Sequence, residues 1–66
     1  MSDYDKLIND IRIIREEMIR VGGDMATNYD VDEIREKGRE MLGAAGIAQT
    51  WINGIMMERD KCKQNA

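Results

Sequence analysis

Arginine and tryptophan side chains are the groups in this 66-residue chain best suited to contact a ligand. Arg39 stands beside Gly38: a guanidinium group can bind a phosphate through two hydrogen bonds, and a neighbouring glycine lets the ligand come close. Trp51 offers a flat face for stacking, and Thr50 and Asn53 near it offer hydrogen-bonding groups. These residues predict a site for a phosphate-bearing ligand. The alternative is that Arg39 belongs to a solvent-exposed helix face whose charged side chains form ion pairs, and that Trp51 only packs against apolar neighbours.

Catalytic chemistry has little support in the sequence. The chain has no histidine to act as a base near neutral pH, and neither its one serine nor its one cysteine, Cys62, lies beside a plausible base. Adjacent carboxylates such as Glu16 and Glu17 are typical of a solvated helix face, and the acids between Asp24 and Glu33 lack the spacing of a calcium loop. We predict that the protein is not an enzyme and has no catalytic residue, no metal ligand and no cofactor.

The spacing of apolar residues predicts a first helix over residues 3–21. Ser2 and Asp5 form a variant capping box at its start, and Gly22 with Gly23 supplies the expected stop. Apolar residues recur along it at alternating spacings of three and four, which predicts a seam that faces a partner helix. That seam comprises Tyr4, Leu7, Ile11, Ile14, Met18 and Val21.

A second helix is expected over 31–61, after a loop at 22–29 and a cap at Asp30, and before a frayed tail at 62–66. Small residues along it would oppose the large residues of the first helix, as close antiparallel packing requires. This second seam comprises Ile34, Gly38, Met41, Ala45, Ala48, Ile52 and Ile55. The expected fold is therefore all-α, a single antiparallel helical-hairpin domain over residues 1–66.

Such a hairpin would leave apolar surface uncovered. The second helix is expected to be about 46 Å long against about 29 Å for the first, so its turns from Ile52 to Arg59 would overhang. No charged residue occurs between Met41 and Met57, and part of this run faces away from the seam. A helix that is apolar on most of its circumference is normally buried, so we expect assembly into a homo-oligomeric helical bundle. The expected interface comprises Gly43, Ile47, Thr50, Trp51, Gly54, Ile55 and Met57.

Charge and composition restrict the setting and the partners. Ten Lys and Arg against thirteen Asp and Glu give a net charge of −3, which argues against a protein that coats duplex nucleic acid. The uncharged run is shorter than the ~20 apolar residues of a membrane span, so no membrane association is expected. The first residues show no secretory signal and a lone cysteine fits a reducing compartment, so we expect the protein in the cytoplasm.

Segments of both predicted helices resemble the phage anti-CBASS proteins, a helical-hairpin family that sequesters cyclic oligonucleotides. The similarity to the first hairpin helix of that family lies in Leu7-Ile8-Asn9-Asp10-Ile11-Arg12 and in Glu16-Glu17-Met18. The similarity to the second lies in Val31-Asp32, in Gly38-Arg39 with Leu42, and in the small and apolar run that follows. Together these segments cover about half the chain.

The resemblance implies a compact helical oligomer that binds cyclic di- or trinucleotides without cleaving them, so that a host effector stays inactive. It implies a phosphate contact at Arg39 with Gly38, and it matches Asn9 and Arg12 to the pattern of the first helix. Tyr4 or Trp51 would then provide the stacking aromatic. A phage-encoded protein of this kind would act in the host cytoplasm.

Two other functions remain open from the sequence. The first is a small helical protein-interaction module that inhibits or scaffolds a protein partner through the uncharged 41–57 surface. The second is a hairpin dimer that binds structured RNA through the arginines of the first helix, Arg12, Arg15 and Arg20.

Overall fold

The computed structural model describes residues 2–64, and the side chains of residues 2–62, as two packed helices. Helix α1 spans Asp3–Thr27, helix α2 spans Asp32–Gln64, and residues 28–31 connect them. No strand occurs within residues 2–64. The prediction of an all-α helical hairpin is therefore confirmed for the described residues. Of the expected frayed tail, residues 62–64 continue α2, and residues 65 and 66 lie outside the described residues.

The start of α1 follows the predicted capping box. The Ser2 hydroxyl oxygen accepts a hydrogen bond from the Asp5 backbone N–H at 3.2 Å, and the same hydroxyl donates to Asp5 Oδ2 at 3.0 Å. These two contacts satisfy an otherwise unpaired helix donor and place carboxylates at the positive end of the helix dipole.

The predicted stop at Gly22 and Gly23 is wrong, because α1 continues for six residues beyond the expected end at residue 21. No glycine in the described residues has a positive φ, so neither residue adopts the left-handed conformation of a helix stop. The helix ends instead at Thr27, and Asn28 caps it: the Asn28 backbone N–H donates to the Asp24 carbonyl at 2.8 Å, and its Nδ2 donates to Asp24 Oδ1 at 2.6 Å.

Helix α2 begins at Asp32, one residue later than expected, and runs without interruption through Gly43, Gly46 and Gly54. The Val31 carbonyl accepts the first helical hydrogen bond, from the Arg35 N–H at 3.1 Å, so Asp30 stands one residue too early to cap the helix.

The predicted overhang from Ile52 to Arg59 is also wrong. Ile52 is buried, and Arg59 Nη1 lies 2.8 Å from Asp5 Oδ1. The reason is the length of α1: its 25 residues reach further along α2 than the 19 expected from the sequence.

The seam of α2 is the one that the sequence predicts. Ala45, Ala48 and Ile52 are 1–3% exposed and Gly38 is buried, whereas Ile34, Met41 and Ile55 are half-buried at the ends and edges of the seam. These small side chains let the two helix backbones approach closely.

The seam of α1 lies to one side of the predicted one. Ile8 is buried, but Leu7 is 50% exposed and Ile14 is 56% exposed, so both flank the seam instead of filling it. The position of Gly22 explains the difference, because Gly22 is buried against α2 and so sets which face of α1 meets that helix. Ile8 comes fourteen residues before Gly22, which is almost four helical turns, so it lies on the same face. The same rotation brings Arg15 to the edge of the seam.

Candidate functional site

An open groove lies between the start of α1 and the last turns of α2, and we call it the terminal groove. It has a volume of about 430 Å³. Trp51 forms part of its wall and is 59% exposed, so the indole face is accessible to a ligand. The groove is lined by Tyr4, Leu7, Thr50, Trp51, Gly54, Ile55 and Glu58.

The structure thus brings together the two aromatic residues predicted to stack on a ligand, one from each helix. They line the same groove because α2 is antiparallel to α1, which places its last turns beside the first turn of α1. Leu7 and Glu58 also line the groove, and neither was predicted from the sequence as a ligand contact. The spacing of three between Tyr4 and Leu7, nearly one helical turn, is the signal that could have found Leu7.

Polar contacts hold the two helices together beside the terminal groove. The Tyr4 hydroxyl lies 3.5 Å from Cys62 Sγ, and the pKa of Tyr4 is raised above its ordinary value of 10.0 by that contact and, less strongly, by burial and by the Glu58 carboxylate. The Arg59 guanidinium, 23% exposed, donates to Asp5 at 2.8 Å. This hydrogen bond is the main reason that the pKa of Arg59 is raised.

The hydroxyl of Thr50 and the carboxylate of Glu58 are already engaged inside α2. Thr50 Oγ1 donates to the Ile47 carbonyl at 2.6 Å, and Glu58 Oε1 lies 3.8 Å from Lys61 Nζ. With its proton committed to a backbone carbonyl, Thr50 is poorly placed to act as a nucleophile. The lining of the groove is therefore suited to hold a flat, largely apolar group.

A second groove, the central groove, lies about midway along α1. It has a volume of about 300 Å³, and every lining residue except Glu17 is apolar. The Glu17 carboxylate accepts two hydrogen bonds from the Arg20 guanidinium, at 2.7 and 3.0 Å, which lower the pKa of Glu17. The central groove is lined by Ile13, Ile14, Glu17, Met18, Val21 and Met41.

Arg12 and Arg39, the two arginines matched by the resemblance, are both exposed, and neither makes an ion pair or side-chain hydrogen bond among residues 2–62. The remaining arginines of that part of the chain contact neighbouring side chains. The prediction of an ion-paired surface therefore does not describe these two guanidinium groups, which are free to meet an anion.

Neither arginine lines a groove. Arg12 comes five residues after Leu7, which puts it about 140° around α1, and Arg39 comes twelve residues before Trp51, about 120° around α2. Asn9 is exposed and lies two residues after Leu7, about 160° from it around the helix. The hairpin therefore separates the predicted phosphate contacts from the predicted stacking residues.

Gly38 serves helix packing, not the approach of a ligand that the sequence predicted. A Cβ placed on it would lie 2.6 Å from the Ala26 backbone nitrogen and 2.7 Å from the Gly22 carbonyl oxygen. Helix α1 packs directly against the backbone of Gly38, so a ligand has no access to it.

A chain of polar side chains that runs from the edge of the seam to the surface was not predicted from the sequence. Arg15 Nη1 donates to Gln49 Oε1 at 2.6 Å, and Gln49 Nε2 donates to Asn53 Oδ1 at 3.0 Å. Arg15 Nε is buried without a hydrogen-bond partner among the described residues. Arg15 is thus tied to α2 and is not available to an external anion.

The predicted oligomer interface is solvent-accessible in the single chain. Of its seven residues only Ile55 is half-buried, and the others are exposed. Thr50, Trp51, Gly54 and Ile55 belong to the terminal groove, whereas Gly43, Ile47 and Met57 lie outside both grooves.

No three His, Cys, Asp or Glu side chains converge on a metal position in the described part of the chain, where Cys62 is an exposed free thiol. Neither described helix has an apolar stretch long enough to cross a membrane. Comparisons of the chain with known protein families, curated proteins and solved structures find no match. The resemblance to the phage anti-CBASS proteins therefore stays a hypothesis that rests on the residues quoted for it.

Proposed function

We propose that this protein binds and sequesters cyclic di- or trinucleotides in the host cytoplasm, as a self-assembling sponge that leaves them intact. The observation that carries the proposal is the terminal groove, where Tyr4 and an exposed Trp51 from different helices face one open space. Stacking on an aromatic side chain contributes about 1–3 kcal/mol per base. Such stacking suits a ligand that presents two or three bases.

The arginines predicted to contact the phosphates of such a ligand do not reach the terminal groove of their own chain. The one carboxylate in the terminal groove, Glu58, repels phosphate, and Arg12 and Arg39 lie on other sides of the hairpin. The two arginines are also far apart along the hairpin. Arg39 is next to Gly38, which faces Gly22, and Arg12 comes ten residues before Gly22, so about 15 Å separates them along the helix axis. We therefore place the ligand at the junction of two or more copies, where a free arginine of one copy reaches the aromatic groove of another.

Binding without cleavage is consistent with the groove lining. The Thr50 hydroxyl donates to a backbone carbonyl, and Glu58 lies near Lys61. The proposed role is removal of a signalling nucleotide from solution, which keeps an effector inactive by mass action.

Calorimetric titration with a panel of cyclic di- and trinucleotides tests the proposal. We expect at least one to bind, and we expect Arg39→Ala to weaken its binding by about tenfold to a hundredfold, since hydrogen bonds to charged groups contribute about 1.5–3 kcal/mol. The matched control is Arg35→Ala, which removes the same charge one turn away but from a side chain that lies near Asp32. Absence of heat and of a thermal shift with every nucleotide would contradict the proposal.

The alternative function is a protein-interaction module that acts through the uncharged 41–57 surface. It is favoured by the exposure of Ile47, Trp51 and Met57, three large apolar side chains on one helix. On this alternative a purified partner protein would bind with fixed stoichiometry, Met57→Lys would abolish that binding, and cyclic nucleotides would have no effect.

Binding of structured RNA finds less support in the geometry. Of the three first-helix arginines, Arg15 is hydrogen-bonded at the edge of the seam and Arg20 is paired with Glu17 at 2.7 Å. Arg12 alone of the three is free among the described side chains, which gives a polyanion little positive surface.

A further inference from the structure

The hairpin is a single layer of two helices with more surface than a compact chain of its size. It measures 54 × 17 × 11 Å, and its Cα radius of gyration is 15.5 Å, against about 11 Å for a compact domain of this length. Its solvent-accessible surface is 5012 Å², whereas a compact monomer of 7.6 kDa exposes about 4300 Å². The excess of about 700 Å² is close to the ~800 Å² that each partner contributes to a standard interface.

A row of apolar side chains along α1 connects the terminal groove with the central groove. Leu7, Ile14 and Val21 follow one another at intervals of seven residues, so they lie in one row along α1 with a drift of about 20° per interval. Leu7 lines the terminal groove, and the other two line the central groove. Ile19 is exposed to a similar degree but comes five residues after Ile14, about 140° away, and lines neither groove.

Covering the central groove would leave no charge without a partner. Glu17 is its one charged lining residue, and the Arg20 guanidinium already neutralises it at 2.7 Å. Burying an unpaired charge carries a large desolvation cost, and the pairing of Glu17 with Arg20 reduces that cost for the central groove.

We propose that the central groove is the docking surface for a second copy of this chain, with Ile14 near the middle of the contact. Two single-layer hairpins joined in this way form the two-layer arrangement of a four-helix bundle. A two-fold axis brings identical apolar rows together, and the excess area matches one half of a standard interface. The terminal groove lies about 16 Å further along α1, so it stays open at each end of the pair. The pairing does not depend on the nucleotide proposal.

Sedimentation of the full chain over a wide concentration range, without nucleotide, tests the pairing. The expected species has twice the 7.6 kDa mass of one chain. Ile14→Lys should raise the dissociation constant by about thirtyfold or more, because a lysine cannot be buried there without a partner. Two matched controls, Ile19→Lys and Met57→Lys, replace apolar residues of similar exposure outside the central groove and should change the dissociation constant by less than about threefold.

Each result bears on the pairing separately from nucleotide binding. A single chain at all concentrations overturns it, and so does an assembly that Met57→Lys dissociates as strongly as Ile14→Lys, since Met57 lines neither groove. Should Ile14→Lys fail to fold, the thermal midpoint of the unmodified chain decides the question. It rises with protein concentration if copies associate, and a midpoint independent of concentration overturns the pairing.

Discussion

The two ends of this hairpin are held together by different means. At the loop end, Gly22 and Gly38 let backbone approach backbone, and a Cβ at Gly38 would lie within 2.6–2.8 Å of three atoms of α1. At the open end, where α1 begins and α2 finishes, the links are polar: Arg59 with Asp5 at 2.8 Å, and Tyr4 with Cys62 at 3.5 Å.

This difference separates a rigid part of the molecule from an adjustable one. Two closely packed backbones cannot shift without losing their contact, whereas partly exposed polar side chains can rearrange at small cost. The terminal groove lies at the adjustable end, beside the polar links and the free indole face of Trp51. A binding site at this end can change shape around a ligand while the loop end keeps the helices in register.

The largest expected effect comes from filling the crossing at the loop end. Gly38→Ala should lower the free energy of unfolding by about 2–3 kcal/mol, because the new methyl group forces the helix backbones apart. The matched control is Gly46→Ala in the same helix, where a Cβ meets no atom within 4 Å. That change should stabilise the protein by up to about 1 kcal/mol through helix propensity. Chemical denaturation measures both, and equal effects of the two changes would show that the helices are not closely packed at Gly38.

A smaller effect is expected at the open end. Arg59→Met keeps much of the aliphatic stem and removes the link to Asp5, and it should lower the free energy of unfolding by clearly less than Gly38→Ala does, because partly exposed ion pairs contribute little to stability. The loss should shrink at high salt, since such pairs are screened. Lys37→Met, which removes an ion pair with Glu40 inside α2, is the control and should cost less. A loss from Arg59→Met as large as that from Gly38→Ala would show that the open end is not adjustable.

The smallest effect concerns the titration of Tyr4. In a Tyr29→Phe background, phenolate absorbance should give Tyr4 a pKa above 10.0, and Cys62→Ala should lower it, because the contact with Cys62 is the main cause of the shift. A raised pKa means that the folded chain holds this proton more tightly than the unfolded chain. Its contribution to stability is therefore present below pH 10 and lost as the pH rises through the folded value. A Tyr4 pKa unchanged by Cys62→Ala would show that the contact does not form.

Sequence periodicity predicted the hairpin and the seam of α2 because small and apolar residues alternate there at three and four without a competing pattern. It misplaced the seam of α1, where Ile8 and Ile14 both fit an apolar stripe and the choice depends on which face meets Gly38. Gly22 illustrates the same limit. A pair of glycines is equally compatible with a helix stop and with a close crossing, and only the partner helix decides between them.

The sequence predicted which residue types form the candidate site, but not which of those residues lie together in the folded hairpin. Tyr4 and Trp51 lie 47 positions apart in the chain, and their shared groove depends on the register of the two helices. That register follows from the crossing of Gly22 and Gly38 and from the length of α1, which the sequence reasoning underestimated. The arginines were recognised as anion contacts, but their placement away from the groove follows from the rotation of each helix.

Native mass spectrometry of the full chain, with and without a panel of cyclic di- and trinucleotides, tests the proposed function most directly. We expect an assembly of two or more chains that gains the mass of intact nucleotide, with the gain lost in Arg39→Ala and kept in Arg35→Ala. An assembly whose mass is unchanged by every nucleotide in the panel, or a nucleotide recovered as cleaved product, would contradict sequestration by this protein.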